Sequence, residues 1–127
     1  MKKAALVFAA VLLIAVPLAF AADQYPSKVI TIIVPFTAGG PTDTVARLVA
    51  KAMSGPLKGQ IIIENTDGAG GTIGTAKASV AAPDGYTLFL HHIGMSTAPS
   101  LYRKLTYNPL DFETIGLINE VPMTLVA

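Results

Sequence analysis

The stretch Val29–Arg47, VITIIVPFTAGGPTDTVAR, decides the fold. Val29–Val34 is a β-branched, largely apolar run, which suits a strand covered on both faces, as in a parallel sheet between helices. Pro35 ends it. A loop, Phe36–Gly40, carries Gly39-Gly40, and Pro41-Thr42-Asp43 then opens a helical pattern. Gly40 suits the N-cap, Pro41 the first helical position, and Asp43 the third. Strand, glycine loop and helix start together make a small anion site. Glycine lets backbone N–H groups come close, and the helix N-terminus adds partial positive charge. The expected occupant is a carboxylate of a small ligand.

Outward from that stretch the pattern repeats. Val45, Leu48, Val49 and Ala52 recur at helical spacing and predict the buried stripe of the first helix, with Thr44, Arg47 and Lys51 facing away. Gly55-Pro56 is its stop signal. Gln60–Glu64 reads as a second short strand, so a βαβ crossover joins the two. Asn65–Gly71, NTDGAGG, is a second glycine-rich loop. Thr72 is placed to cap a second helix, Ile73–Ala82, with Ile73, Ala76 and Val80 as apolar positions and Gly74 permitting close packing on the sheet. Ala82-Pro83-Asp84-Gly85 has the residue choices of a β-turn. Tyr86–Leu90 is a third strand and His91–Thr97 a third loop. Pro99–Leu105 reads as a short helix broken by Asn108-Pro109, and Thr114–Ile118 and Met123–Ala127 read as strands. The apolar run reaching Ala127 has no polar tail, which leads us to expect a truncated reading frame.

This alternation predicts an α/β, doubly wound unit. In such sheets ligands bind beyond the carboxyl ends of the strands. The loops Phe36–Gly40, Asn65–Gly71 and His91–Thr97 all follow strand ends and should gather on one edge.

The chain has 127 residues, 52% hydrophobic, with a formal charge of +1. Met1–Ala21 reads as a signal peptide: Lys2 and Lys3 form its charged start, Ala4–Leu18 its apolar core, and Ala19-Phe20-Ala21 its cleavage site. The core falls short of the roughly 20 residues a spanning helix needs, so no direct membrane insertion is expected after cleavage. Residues 22–127 would then carry seven basic residues against eight acidic ones. That balance gives no basic footprint for nucleic acid. Cysteine is absent, which removes disulfides and thiolate metal sites.

The chemical motifs are mostly eliminated one by one. G-x-x-x-x-G-K-[ST] is missing, so nucleotide hydrolysis is not supported. Gly68-Ala69-Gly70 begins a dinucleotide pattern, but position 73 is Ile and no acid sits at the ribose position. His91-His92 lacks a third ligand for a metal, and adjacent strand-end residues are expected to point to opposite sides. Ser96 beside the two histidines matches no nucleophile elbow. Asp43 can serve as a helix cap, and Arg47 either as a solvated residue or as the partner of Asp43 one turn back.

Taken in order, Tyr25-Pro26-Ser27-Lys28, Val34–Asp43 with Arg47, Glu64-Asn65 before Gly68–Gly71, Ala82–Leu88, and Leu101-Tyr102 through Pro109 and Asp111-Phe112 resemble the substrate-binding proteins of tripartite tricarboxylate transporters, the Bug family of periplasmic receptors. The resemblance implies a periplasmic-binding-protein type II-like fold that closes two lobes on a small carboxylate. Only the first lobe would be represented, with the second largely missing. It also implies a membrane permease as partner, no cofactor, no metal, no catalysis, and recognition through backbone N–H groups and water. Carried to matching positions, the ligand-binding residues would be Phe36, Thr37, Ala38, Gly39, Gly40, Thr42, Asp43, Gly70, Gly71, Thr72, His92, Gly94, Ser96 and Thr97. The alternatives of another class are a secreted α/β enzyme acting on carboxylates and a non-functional fragment.

The export signal generates a first prediction. Protein recovered from a secreting host should begin at Ala22 on N-terminal sequencing; a soluble product retaining Met1–Leu18 would contradict it.

Overall fold

The computed structural model describes residues 24–120. The signal-like segment Met1–Ala21 and the expected strand Met123–Ala127 lie outside the described residues. Three parallel strands form the centre in the order β2-β1-β3: β1 is Ile30–Val34, β2 is Ile61–Asn65 and β3 is Thr87–Phe89. Helix α1, Pro41–Leu57, joins β1 to β2. A 3-10 turn, Ala69–Gly71, leads into α2, Thr72–Ser79, which joins β2 to β3. Helix α3, Gly94–Leu101, follows β3. The expected α/β unit is therefore present, with β1 at its centre.

Register explains how the apolar run of β1 is used. Ile30 pairs with Ile61 and Ile32 with Ile63 and Leu88, so these side chains share one face. That face carries the core of Ile32, Val34, Ala46 and Ala50, with Ile61, Ile63, Leu88 and Leu90 packed around it. Ile33 is buried on the other face, where α2 approaches. There Lys77 of α2 pairs with Glu64 of β2. Helices thus cover β1 from both sides, as its lack of a polar face requires.

The buried face of α1 differs from the expected stripe. Asp43, Ala46 and Ala50 are buried, whereas Leu48 is 63% exposed and Ala52 is exposed. The helical period is right but its phase is rotated. Two causes are visible: Asp43 is drawn inward by polar partners at the strand ends, and alanines let the helix lie close to β1. The helix also continues past Gly55-Pro56 to Leu57, where Lys58 adopts a left-handed φ of 51° and donates its N–H to Gly55 O at 3.2 Å.

Helix α2 shows a similar correction. Ile73 and Val80 are exposed, and the buried positions are Gly74 and Thr75. Thr75 Oγ1 donates to Gly71 O at 2.8 Å. Gly71, not Thr72, occupies the N-cap. A Cβ on Gly74 would lie 2.5 Å from Thr66 O and 2.7 Å from Pro35 Cα, so contact with the sheet is made by backbone. Pattern reading favours large apolar residues, but this helix is too near the sheet to seat them.

Past β3, the expected third loop is short. Residues 94–97 already belong to α3, and this helix starts five residues earlier than Pro99. Thr114–Ile118 has no strand pairing among the described residues; residues 113–120 are exposed and irregular. A strand needs a neighbour for its N–H and C=O groups, and no described strand offers one here. At the N-terminal ends of the strands a clasp closes the base. Tyr25 Oη donates to Gly85 O at 2.7 Å, Lys28 Nζ meets Asp84 at 2.8 Å, and Lys28 Nζ lies 4.5 Å from the Tyr86 ring centroid.

The close approach of α2 is testable. Gly74→Ala gains helix propensity of about 1 kcal/mol but collides with backbone that cannot rotate away. The net effect should be destabilising, by roughly 1–3 kcal/mol, read as a lower urea midpoint at unchanged slope.

Candidate functional site

Beyond the carboxyl ends of β1 and β2 lies an open cleft of about 450 Å³. Its wall begins where β1 stops: Pro35 is fully buried and Phe36 half-buried. The next loop turns through Gly39, whose φ is +83°. No atom lies within 4 Å of a Cβ built there, so glycine is required by the backbone angle rather than by crowding.

Asp43 holds this loop. The residue is only 1% exposed. Its Oδ2 accepts from Gly39 N at 2.7 Å and Arg47 Nε at 2.8 Å, and its Oδ1 accepts from Asn65 Nδ2 at 3.0 Å. The same Asn65 amide donates to Phe36 O at 3.0 Å. One carboxylate therefore joins the first loop, α1 and the end of β2. Arg47 is the partner of Asp43, although its side chain stays 56% exposed. The Arg47 guanidinium, then the Gly39 N–H and the Asn65 amide, outweigh burial and lower the Asp43 pKa to about 2.

The second loop is built from left-handed backbone. Gly68, Ala69, Gly70 and Gly71 have φ of 123°, 46°, 62° and 92°, and Thr72 returns to φ −65°. The Gly71 N–H donates back to Gly68 O at 2.9 Å and the Thr72 N–H to Ala69 O, so the loop is closed by its own backbone. Crowding also enforces glycine here. A Cβ on Gly70 would meet Tyr102 Oη at 2.3 Å, and one on Gly71 would meet His91 Nε2 and Phe36 Cζ at 3.2 Å. Asp67 opens this loop and accepts from Thr37 Oγ1 at 3.1 Å, tying the first loop to the second.

The two histidines lie beyond β3, so the alternation of a strand no longer separates them. Their ring centroids are 5.0 Å apart. His92 stacks on Phe36 at 4.4 Å and 16°, and its Nδ1 accepts from Gly94 N at 3.0 Å, serving the open end of α3. His91 packs edge-on to Phe36 and Phe89. Burial lowers its pKa to about 4. The described residues hold no group of three side chains able to bind a metal.

Of the residues singled out in the sequence, Phe36, Thr37, Gly40, Thr42, Gly70, Gly71 and His92 line the cleft. Ala38, Gly39, Asp43, Thr72, Gly94, Ser96 and Thr97 do not. Gly39 and Asp43 stand behind the wall and shape it. Gly94, Ser96 and Thr97 lie in the first turn of α3, and Thr97 Oγ1 bonds Gly94 O. Gly68, which opens the weaker candidate loop Gly68–Thr72, also lines the cleft, and Pro35, Pro41 and Asp67 join the lining without having been singled out as ligand residues. Asn65 was likewise missed as the link between loops; the polar pair Glu64-Asn65 closing an apolar run was its available signal. The first-turn N–H groups of Thr42 and Asp43 find no acceptor among the described residues, which leaves two donors at the N-terminus of α1.

Comparison with known proteins follows from this geometry. Residues 45–127 match a model described as the tripartite tricarboxylate transporter family receptor. A UPF0065 protein in the TAR-I ttuE-ttuC' intergenic region of Agrobacterium vitis is 54% identical over 123 residues, covering 94% of this chain and 36% of that one. The structure of the periplasmic binding protein BugD is 52% identical, with a TM-score of 0.65, over 67% of this chain and 28% of that chain. MatC from Rhodopseudomonas palustris, solved with bound malate, is 46% identical, with a TM-score of 0.64, over 67% and 29%. The chain spans about a third of the length of the curated relatives it matches. Its small parallel α/β sheet is that of one lobe of a periplasmic binding protein.

The large shifts of His91 and Asp43 fix the sign of an acid response, and the lowered carboxyl of Asp84, paired with Lys28, acts in the same direction. His91 is lowered from 6.5 to about 4 and Asp43 from 3.8 to about 2. In each case the unfolded chain binds the proton first, so stability falls as pH falls through the window. Unfolding midpoints should drop between pH 6.5 and 4 and again between about 4 and 2. His91→Phe should flatten the first limb and Asp43→Asn the second, as followed by denaturant titration across pH.

Proposed function

Because the chain belongs to the tripartite tricarboxylate transporter family of receptors, we propose that it is the ligand-binding first lobe of an extracytoplasmic receptor. It takes a small carboxylate in the cleft beside β1 and presents it to a membrane permease. Residues 22–127 form this part and Met1–Ala21 directs it to the periplasm. The proposed ligand residues are those of the first loop and the start of α1, with Gly70, Gly71 and His92 opposite. The observation that carries the reading is the pair of unpartnered N–H groups of Thr42 and Asp43, set beside a glycine loop whose shape Asp43 holds. Such donors suit a carboxylate oxygen.

Several features support binding without chemistry. The family is one of receptors, a solved neighbour is a periplasmic binding protein, and another was solved with bound malate. The cleft brings no nucleophile to a base; among the described residues no hydrogen bond joins Ser96 to either histidine. Pre-formed backbone donors cost little reorganisation when the ligand arrives. A single open wall leaves a charged ligand facing water, where its contacts are screened. Enclosure by a second wall strengthens those same bonds, which is the role proposed for the remainder of a two-lobed receptor. No helix among the described residues is long and apolar enough to cross a membrane.

Gly39→Val tests the site. A β-branched residue at a φ of +83° is strained, by about 1–2 kcal/mol, and it displaces the loop from Asp43. Affinity for malate or succinate, measured by calorimetry in a full-length protein carrying this chain, should fall by roughly tenfold or more. Unchanged affinity would exclude this loop as the carboxylate site.

A further inference from the structure

We propose that Asp67 makes the cleft selective for carboxylic acids that carry a hydrogen-bond donor, an ammonium ahead of a hydroxyl, over acids that carry none. The inference rests on the carboxylate-site reading and concerns a second point of contact in the same cleft. Asp67 is the one lining residue that is an acid, and no Lys or Arg lines the cleft. The ion pairs among the described residues are Lys28–Asp84, Arg47–Asp43 and Lys77–Glu64. Asp67 belongs to none of them. Thr37 donates to its Oδ2, and among the described residues nothing donates to its Oδ1.

A carboxylate so placed accepts hydrogen bonds and offers none. A ligand that is all carboxylate and methylene brings like charge against it; Asp67 itself is exposed, so enclosure by the second wall of a two-lobed receptor is what sharpens that repulsion. The backbone donors at the start of α1 meet one carboxylate of the ligand but leave Asp67 without a complement. An ammonium supplies both the hydrogen and the opposite charge, giving a charge-assisted bond. A hydroxyl supplies the hydrogen alone and should rank between. The Thr37–Asp67 bond fixes one oxygen against the first loop, so the acid is held at the rim. The same bond shows that the site already accepts an O–H donor.

The test uses three acids on one four-carbon dicarboxylate skeleton: succinate with no donor, malate with a hydroxyl and aspartate with an ammonium. Each is titrated calorimetrically into a full-length protein carrying this chain and into its Asp67→Asn variant. That variant keeps an oxygen for Thr37 and removes the charge. The parent should bind aspartate about tenfold or more tighter than succinate, with malate between. In Asp67→Asn the ratio should collapse toward unity, through gained succinate affinity as well as lost aspartate affinity. Equal binding of all three acids by the parent, or a preference that survives in Asp67→Asn, overturns the role of Asp67 while leaving the carboxylate site standing. Failure of the parent to bind any of the three overturns the carboxylate reading and this inference with it.

Discussion

The carboxylate of Asp43 is the constraint on which the rest of the structure turns. It is buried, yet three donors from three places in the sequence, Gly39, Arg47 and Asn65, converge on it. Burying a charge is costly unless it is hydrogen-bonded, and here the satisfaction is nearly complete. The low Asp43 pKa reports the same balance. The first loop cannot relax without leaving that charge uncompensated. Helix α1 cannot rotate either, because Asp43 is part of it. The polar network thus sets both the shape of the loop and the phase of the helix.

That double role explains what was and was not legible in the sequence. The order of elements could be read, because Val29–Val34 lacks a polar face and Pro35, Gly55-Pro56 and Asn108-Pro109 punctuate the chain. The gathering of loops at the strand ends followed from order alone. The faces of the helices could not be read. Periodicity placed Val45 and Leu48 inward; a charged residue with hidden partners turned Ala46 and Ala50 inward instead. Likewise Ile73 and Val80 were the apolar positions of α2, but a backbone contact at Gly74 left no room for them. The first turn of α3 reads as loop in the sequence, because Gly94, Ser96 and Thr97 have turn-like chemistry and the serving group, His92 Nδ1, is not a usual cap.

Membership of the tripartite tricarboxylate transporter receptor family gives these features a common purpose. The chain supplies one lobe, and a lobe that must act as a wall needs stiffness at its edge more than bulk in its core. The cleft meets that need with short hydrogen bonds at the strand ends and left-handed glycine backbone. Aromatic stacking of His92 on Phe36 adds a flat, partly polar surface on the side of β3. The clasp of Tyr25, Lys28 and Asp84 holds the opposite ends of the strands. The sheet is therefore fastened at both ends, and the cleft inherits its geometry from that fastening.

The contact at Gly74 has a wider consequence. Helix α2 meets Pro35 and Thr66 through main-chain atoms, and main-chain atoms are the same whatever side chains surround them. The depth of the cleft floor is then a fixed dimension, insensitive to substitutions on either neighbouring surface. Residues at the rim, Asp67 and His92 among them, carry no part of that dimension. Rim chemistry and floor depth are for this reason separate variables: a change of side chain at the rim leaves the main-chain contact beneath it in place.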